Sequence, residues 1–422
     1  MMASSVFQDK YQGSKKDRLC SFNLAALPPF LFFSLLLATI LTLFILYSPS
    51  IPPLGLTPNP HPHRLHKDEA DDCDLFVGRW VPDLRGPSYT NSSCRTIPES
   101  KNCFLQGRPD RDFLSWRWKP ERCELPRFDP KVFLETVRGK TMAFIGDSVA
   151  RNQMESLLCL LSQEETPVDV YKDSEDRFRT WRFADHDFTL KILWSKFLVM
   201  GWETAINGTF SGSFELHIDR VDETWASELP GIDYAIISTA HWFFRKIYVY
   251  DGSNLTGCVY CSEPNVTSFG PEHALRLALR SSLNHIACCE SCKVGLVTLL
   301  RTFSPAHFEN GTWNTGGMCS RTGPYAEGEI GLQESNEWHF RNIQVEELVR
   351  VALAGDRRRQ RFGVLDVTRA MLMRPDGHPG KFWGNKWMRG YNDCVHWCLP
   401  GPIDVWNEFL MSYLRKLRRS SR

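Results

Sequence analysis

Residues 24–47 form a continuous apolar run that contains no charged side chain. A helix that crosses a hydrocarbon core of about 30 Å needs about 20 such residues, because only a helix satisfies its backbone polar groups internally in lipid. A cleavable signal peptide has a shorter apolar region, about 7–15 residues, closed by a small-residue site. Here the run is followed by Ser48-Pro49-Ser50-Ile51-Pro52-Pro53, a poor cleavage site, so it reads as a retained signal anchor. Lys10, Lys15, Lys16 and Arg18 precede it, and downstream no Lys or Arg occurs until Arg64. The positive-inside rule then makes 1–23 a cytosolic tail and places the remaining chain in a lumen or outside the cell, a single-pass type II topology. Thirteen of the 14 cysteines lie beyond the run, where an oxidising compartment turns them into disulfides. Five N-x-[ST] sequons, at Asn91, Asn207, Asn254, Asn265 and Asn310, also lie beyond it, which predicts a glycoprotein.

The stretch 48–71 is rich in Pro and His without apolar periodicity and reads as a stem. Its His61, His63 and His66 are solvated linker rather than a metal tract. Residues 72–127 are dense in Cys, Trp, Arg and Gly, and predict a small disulfide-stapled lobe that packs against the C-terminal remainder of the chain. From 128 to 422 the pattern is that of an α/β domain. The apolar run 141–145 between Lys140 and Gly146 suits a buried parallel strand. In 149–162, Met154, Leu157, Leu158 and Leu161 recur at helical spacing. Further strands are expected at 189–193, 234–238, 294–300 and 362–365, and helices at 273–287 and 338–354. Alternating strands and helices predict a mainly parallel sheet flanked by helices. The net charge of +1 offers no reason to expect nucleic acid as a partner. The basic run 357–361 reads as a solvated surface segment.

The candidate chemistry begins at Gly146-Asp147-Ser148. Nucleophilic serine catalysis needs an exposed hydroxyl, an adjacent base and a carboxylate that orients the base. Ser148 follows a strand and opens a helix, the carboxyl-end position where open α/β sheets place their sites. The helix start offers unpaired N–H groups for an oxyanion. The tripeptide alone is weak, since average composition yields it by chance in roughly one chain in ten of this length. Its partner is Asp393-Cys394-Val395-His396, where an Asp three residues before a His lets both side chains converge. A lone pair of this kind is usually structural, but here Cys394 and Cys398 bracket it and can pin the segment. Ser148, Asp393 and His396 are therefore the expected triad.

Three blocks resemble the plant trichome birefringence-like family of polysaccharide O-acetyltransferases, a PC-esterase type of the SGNH/GDSL superfamily. The first is Cys73-Asp74-Leu75-Phe76-Val77-Gly78-Arg79-Trp80, continuing through Gly107-Arg108-Pro109-Asp110 and Trp116-Arg117-Trp118 to Cys123. The second is Phe144-Ile145-Gly146-Asp147-Ser148-Val149-Ala150-Arg151-Asn152-Gln153, and the third runs from Tyr391 through Asp393 and His396 to Glu408. The resemblance implies an SGNH/GDSL-like fold and a Golgi membrane enzyme that carries acetyl on Ser148 and passes it to a hydroxyl of a wall polysaccharide. His396 would be the base, Asp393 its partner, and Arg151, with Gly146 and Asp147, support for the oxyanion. It also implies the disulfides Cys73–Cys123, Cys94–Cys159, Cys103–Cys398 and Cys319–Cys394. No cofactor is implied beyond an acetyl donor as co-substrate, either acetyl-CoA or a carrier delivered by a membrane partner of the reduced wall acetylation type.

This chain departs from the family at Val149, usually Leu, and at Ser238-Thr239-Ala240-His241-Trp242-Phe243, where Asn-Thr-Gly-His-Trp-Trp is common. The stretch Trp242-Phe243-Phe244-Arg245 is similar to members acting on xyloglucan or mannan more than on xylan, which makes xyloglucan side-chain galactose the expected acceptor. Cys258, Cys261, Cys288, Cys289 and Cys292 have spacings a zinc site can use, but a lumenal setting favours disulfides and no metal. Their odd number leaves one thiol free or paired between chains. The competing functions are a mannan or xylan O-acetyltransferase, an acetylesterase with the same triad, and a polysaccharide-binding protein with an inactive site. The intact triad disfavours the last.

Overall fold

In the computed structural model the described residues are 73–326, 328–331, 335–354, 360–384 and 390–420. The anchor 24–47, the tail, the stem with its histidines and residues 357–359 of the basic run lie outside them. Among the described residues no helix is long and apolar enough to cross a membrane.

The central sheet forms around β3 (Thr141–Gly146), whose burial is nearly complete on both faces. Met142 and Phe144 enter one apolar core while Ala143 and Ile145 enter another, because successive strand side chains point to opposite faces. A strand covered on both sides must be apolar throughout, which explains its uninterrupted run. On either side lie β6 (Phe188–Trp194) and β9 (Tyr234–Ser238), both parallel to it. Next come β12 (Leu296–Arg301) and β13 (Gln360–Leu365), again parallel. Two antiparallel strands, β4 (Val168–Lys172) and β5 (Phe178–Phe183), complete the order β13-β12-β9-β3-β6-β5-β4.

Helices α1 (Pro130–Thr136), α2 (Ser148–Leu161) and α7 (Asp404–Ser420) pack in the core that contains Phe144. Helices α4 (Pro271–Ala287) and α5 (Asn336–Ala354) pack in the core that contains Ile145. Two short helices, α3 (Glu223–Ala226) and α6 (Thr368–Leu372), fill the connections. The five expected strands and three expected helices are present with ends shifted by a few residues.

The periodicity did not reveal a second, four-stranded sheet. Strands β7 (Val199–Ile206), β8 (Thr209–Val221), β10 (Lys246–Asp251) and β11 (Asn254–Val259) join in the order β11-β10-β8-β7. Burial in β7, β8 and β11 is partial and irregular, with bulges between β7 and β8 and between β10 and β11, so a clean two-residue alternation survives only in the short β10.

In the N-terminal lobe β1 (Gly78–Pro82) and β2 (Trp116–Pro120) form an antiparallel ribbon in which Trp80 faces Trp118. Trp80 Nε1 donates to Ala370 O on α6 at 2.7 Å, which seats the ribbon on the α/β half of the chain. Cys73–Cys123 closes the lobe on itself, whereas Cys94–Cys159 ties it to α2 and Cys103–Cys398 ties it to the Asp-His segment. Tyr89 OH reaches Asp404 Oδ1 at 2.9 Å, and Ser156 Oγ reaches the same oxygen at 2.6 Å.

Three acidic groups lie where this lobe docks, Glu155 buried and Asp404 and Glu408 partly buried. Desolvation pushes Glu408 up to about 8, Glu155 up to about 7 and Asp404 up to about 6. Their unfolded values lie near 4, so across pH 5–8 the folded chain binds more protons than the unfolded chain. Stability must then fall as pH rises through this window, by about 3 kcal/mol for Glu408 alone between pH 5 and 7.5. The melting temperature is expected to be several degrees higher at pH 5.5 than at pH 8, and Glu408→Gln is expected to flatten the trend. An equally steep slope in that variant would refute the assignment to Glu408.

Candidate active site

The nucleophile turn is built by a close backbone approach. Gly146 has φ +148°, and a Cβ there would lie 1.6 Å from the carbonyl oxygen of Ser238 on β9, so no other residue fits. Asp147, fully buried, caps α2: its Oδ1 accepts from Val149 N at 2.9 Å and its Oδ2 from Ala240 N at 3.3 Å. Capping satisfies one of the orphan amides at the helix start. The N–H of Ser148 stands at the same positive helix end, where developing oxyanion charge is favoured. Ser148 itself is partly exposed.

The base arrives from the far end of the chain. His396 Nε2 lies 2.8 Å from Ser148 Oγ, and His396 Nδ1 lies 2.9 Å and 3.1 Å from the two oxygens of Asp393. A carboxylate can only accept, so Nδ1 carries the proton and Nε2 offers its lone pair to the serine hydroxyl. Asp393 Oδ1 also accepts from His396 N at 2.9 Å and from Val395 N at 3.1 Å. Burial opposes ionisation of Asp393, but the His396 imidazole, Lys101 and these N–H groups hold its carboxyl well below the usual range. The carboxylate is thus ionised and ready to stabilise an imidazolium.

The segment is pinned on both sides. Cys394 is bonded to Cys319 and Cys398 to Cys103. Asn152 Oδ1 accepts from Trp397 N at 2.8 Å, His378 Nδ1 donates to His396 O at 2.7 Å, and Gly380 exchanges two backbone bonds of 2.9 Å with Asp393. His378 Nε2 is in turn 2.7 Å from His307 Nδ1. None of Asn152, His307 or His378 stands out by type or spacing in the sequence.

Arg151 has other partners than an oxyanion. Its guanidinium bonds the carbonyl oxygens of Asp176 and Arg177, so in this structure the residue expected to support the oxyanion holds the β4–β5 connection. A different arginine lies under the turn. Arg301, at the end of β12, is buried, bonds Ser238 Oγ and Thr302 O, and rests over Trp406. Burial lowers its pKa to about 10, against the pull of Asp147, so it remains a cation. Its signal was only a charged residue closing an apolar strand. His241, of the divergent 238–243 block, lies 3.9 Å from Asp147 Oδ2. Burial lowers its pKa to about 4, so it is neutral at pH 7.

The remaining cysteines also pair. Cys258–Cys261 and Cys289–Cys292 are disulfides, and no described cysteine is free. The ligand atoms of Cys258, Cys261 and Glu263 lie within 4.8 Å of one another. The two sulfurs are consumed by their bond, and Glu263 Oε1 is held by Tyr248 OH at 2.5 Å and Lys246 Nζ at 3.0 Å. All five sequon asparagines are exposed.

Residues 125–413 match the GDSL/SGNH-like acyl-esterase family found in Pmr5 and Cas1p, and residues 71–124 match the PMR5 N terminal domain. Xyloglucan O-acetyltransferase 4 of Populus trichocarpa is 59% identical to this chain over 411 residues, 96% of each. Xyloglucan O-acetyltransferase 2 of Arabidopsis thaliana is 54% identical over 417 residues, 99% of each. Protein trichome birefringence-like 20 of Arabidopsis thaliana is 46% identical over 349 residues, 81% of this chain and 72% of that protein.

Proposed function

Since the chain belongs to the GDSL/SGNH-like acyl-esterase family found in Pmr5 and Cas1p, we propose that it is a polysaccharide O-acetyltransferase that acetylates xyloglucan through an acetyl-Ser148 intermediate. The observation that carries the reading is the hydrogen-bonded line Asp393–His396–Ser148 in a chain so similar to xyloglucan O-acetyltransferases.

In the first half-reaction Ser148 Oγ attacks the acetyl carbonyl carbon while its proton passes to His396 Nε2. The tetrahedral oxyanion develops at the N-terminus of α2, beside the N–H of Ser148. It collapses by breaking the bond to the donor's leaving group, which takes the proton from His396. In the second half-reaction a sugar hydroxyl gives its proton to His396 Nε2 and attacks the acetyl-serine. Collapse returns the proton to Ser148 Oγ and leaves the acetyl on the sugar. Asp393 stabilises the imidazolium in both halves.

The placement we propose is the Golgi membrane, with the anchor at 24–47, the stem at 48–71 and the catalytic part lumenal. The uncharged run, the exposed sequons and the disulfides support it. A membrane protein of the reduced wall acetylation type would supply the acetyl group. The test is to incubate the full-length enzyme with an acetyl donor and a panel of xyloglucan, mannan and xylan oligomers, and to read acetyl gain by mass spectrometry. Fastest gain on the galactose side chains of xyloglucan is expected. Gain confined to mannan or xylan, or loss of acetyl from pre-acetylated oligomers without any transfer, would overturn it.

A further inference from the structure

Beside the triad, the same edge of the central sheet carries a group of side chains that the acetyl-transfer steps leave unused. Gly146 pairs with Trp194 on one side and Ser238 on the other. The segments after β6 and β9 therefore leave the sheet directly beside the Gly146–Ser148 turn. They are tied together there: Ser195 N donates to Gly146 O at 2.8 Å, and Thr239 Oγ1 donates to Lys196 O at 3.0 Å. Arg177, just before the antiparallel β5, lies beside Trp194, whose N donates to Arg177 O at 3.3 Å, next to the Phe178–Leu193 pair. Trp313 comes from the loop after β12.

Trp194 and Trp242 meet edge to face, with centroids 6.1 Å apart. Lys196 Nζ lies 4.8 Å from the centroid of Trp242 and 5.1 Å from that of Phe214. Arg245 Cζ lies 3.9 Å from the centroid of Trp313 and 5.3 Å from that of Trp242, and Arg177 Cζ lies 5.4 Å from that of Trp194. Three cations thus share one aromatic floor.

Their charges are unevenly answered. Arg177 pairs with Glu175 at 2.7 Å in the open. Lys196 and Arg245 are partly buried, and among the described residues neither has a carboxylate within ion-pair distance. Glu203 acts on both from further away, and its Oε1 is engaged by Gly212 N at 3.0 Å. Desolvation, followed by Arg177 and Arg245, lowers the pKa of Lys196, and desolvation lowers that of Arg245. Cations drawn from water without a paired anion are costly, and an indole face returns only about 0.5–2 kcal/mol. A neutral polysaccharide acceptor gives no reason to keep them. An anionic donor does, because ammonium and guanidinium groups are the side chains that bind phosphate.

We propose that Lys196 and Arg245, on the Trp194–Trp242–Trp313 floor, form a phosphate-binding subsite that holds a phosphorylated acetyl donor with its acetyl group at Ser148. The inference rests on the acetyl-transfer reading. The phosphate can belong to a nucleotide-bearing thioester or to a phosphorylated lipid carrier.

The experiment compares an anionic donor, acetyl-CoA, with an uncharged one, p-nitrophenyl acetate, in the full-length enzyme and in Lys196→Met, Arg245→Gln and the double variant. The ratio of kcat/KM for acetyl-CoA to that for the neutral ester is expected to fall about tenfold or more in the double variant, chiefly through KM, and to fall with added salt in the wild type. Competition by adenosine 3′,5′-bisphosphate or by phosphatidic acid vesicles against acetyl-CoA then tells the two sources apart, and competition by neither overturns the subsite. An unchanged ratio overturns it as well, as does a change confined to KM for the oligosaccharide. Ser148→Ala separates the two readings. If that variant kept its activity on the neutral ester, the acetyl-transfer mechanism would fall, while binding of adenosine bisphosphate could still be measured.

Discussion

Ser148→Ala is expected to lower kcat/KM for acetyl transfer by at least about 10³-fold, and His396→Ala by a similar factor, because residues of such a triad act as one unit. In the proposed mechanism Ser148 Oγ carries the acetyl group, and among the described residues no other side chain is hydrogen-bonded to His396 Nε2. Asp393→Asn is expected to reduce the rate strongly as well. An amide can donate to Nδ1, which stabilises the tautomer with its proton on Nε2 and no lone pair for Ser148. The folds of the serine and histidine variants should persist, since both side chains are partly exposed and the segment is held by Cys319–Cys394 and Cys103–Cys398. The checks are rates on xyloglucan oligosaccharides, melting temperature, and intact-protein mass after incubation with donor alone. Wild-type transfer by purified Ser148→Ala, or an acetyl adduct mapped to another residue, would be fatal to the mechanism.

Gly146→Ala is expected to be the most damaging single substitution for folding. The added methyl meets a backbone carbonyl of a neighbouring core strand at 1.6 Å, and neither partner can yield without parting β3 from β9. Positive φ adds a further penalty of about 1–2 kcal/mol for an L side chain. The sum is expected to exceed about 4 kcal/mol, a large share of the ~5–15 kcal/mol that holds a domain folded. Gly139→Ala is the control. It also has positive φ, +71°, but nothing lies within 4 Å of its Cβ position, so only the conformational penalty remains. The measurement is the yield of folded protein and the denaturation midpoint of the two variants. Equal stability of Gly146→Ala and wild type would show that β3 and β9 do not approach so closely at the turn.

Two physical circumstances made much of the fold legible. A doubly covered strand must be continuously apolar, so β3 and β9 announced themselves, and helices against one core must repeat at three and four residues, so α2, α4 and α5 did too. The second sheet is only partly and irregularly buried and has broken registers, and left no comparable trace. The same division runs through the site. Gly-Asp-Ser after a strand and Asp-x-x-His near the C-terminus are local patterns, because a nucleophile turn and an i, i+3 pair are built from neighbours along the chain.

By itself, then, the sequence determined the α/β class and singled out Ser148, Asp393 and His396, while the anchor and the lumenal setting are expectations drawn from it. The tertiary structure alone decided that Ser148 Oγ and His396 Nε2 stand 2.8 Å apart across 248 residues of chain, that Arg301 is buried and bonded to Ser238 Oγ beside the nucleophile turn, and that Lys196 and Arg245 share an aromatic floor. Those pairings depend on which strands lie side by side. That order comes from packing the whole core, which no window of local periodicity contains.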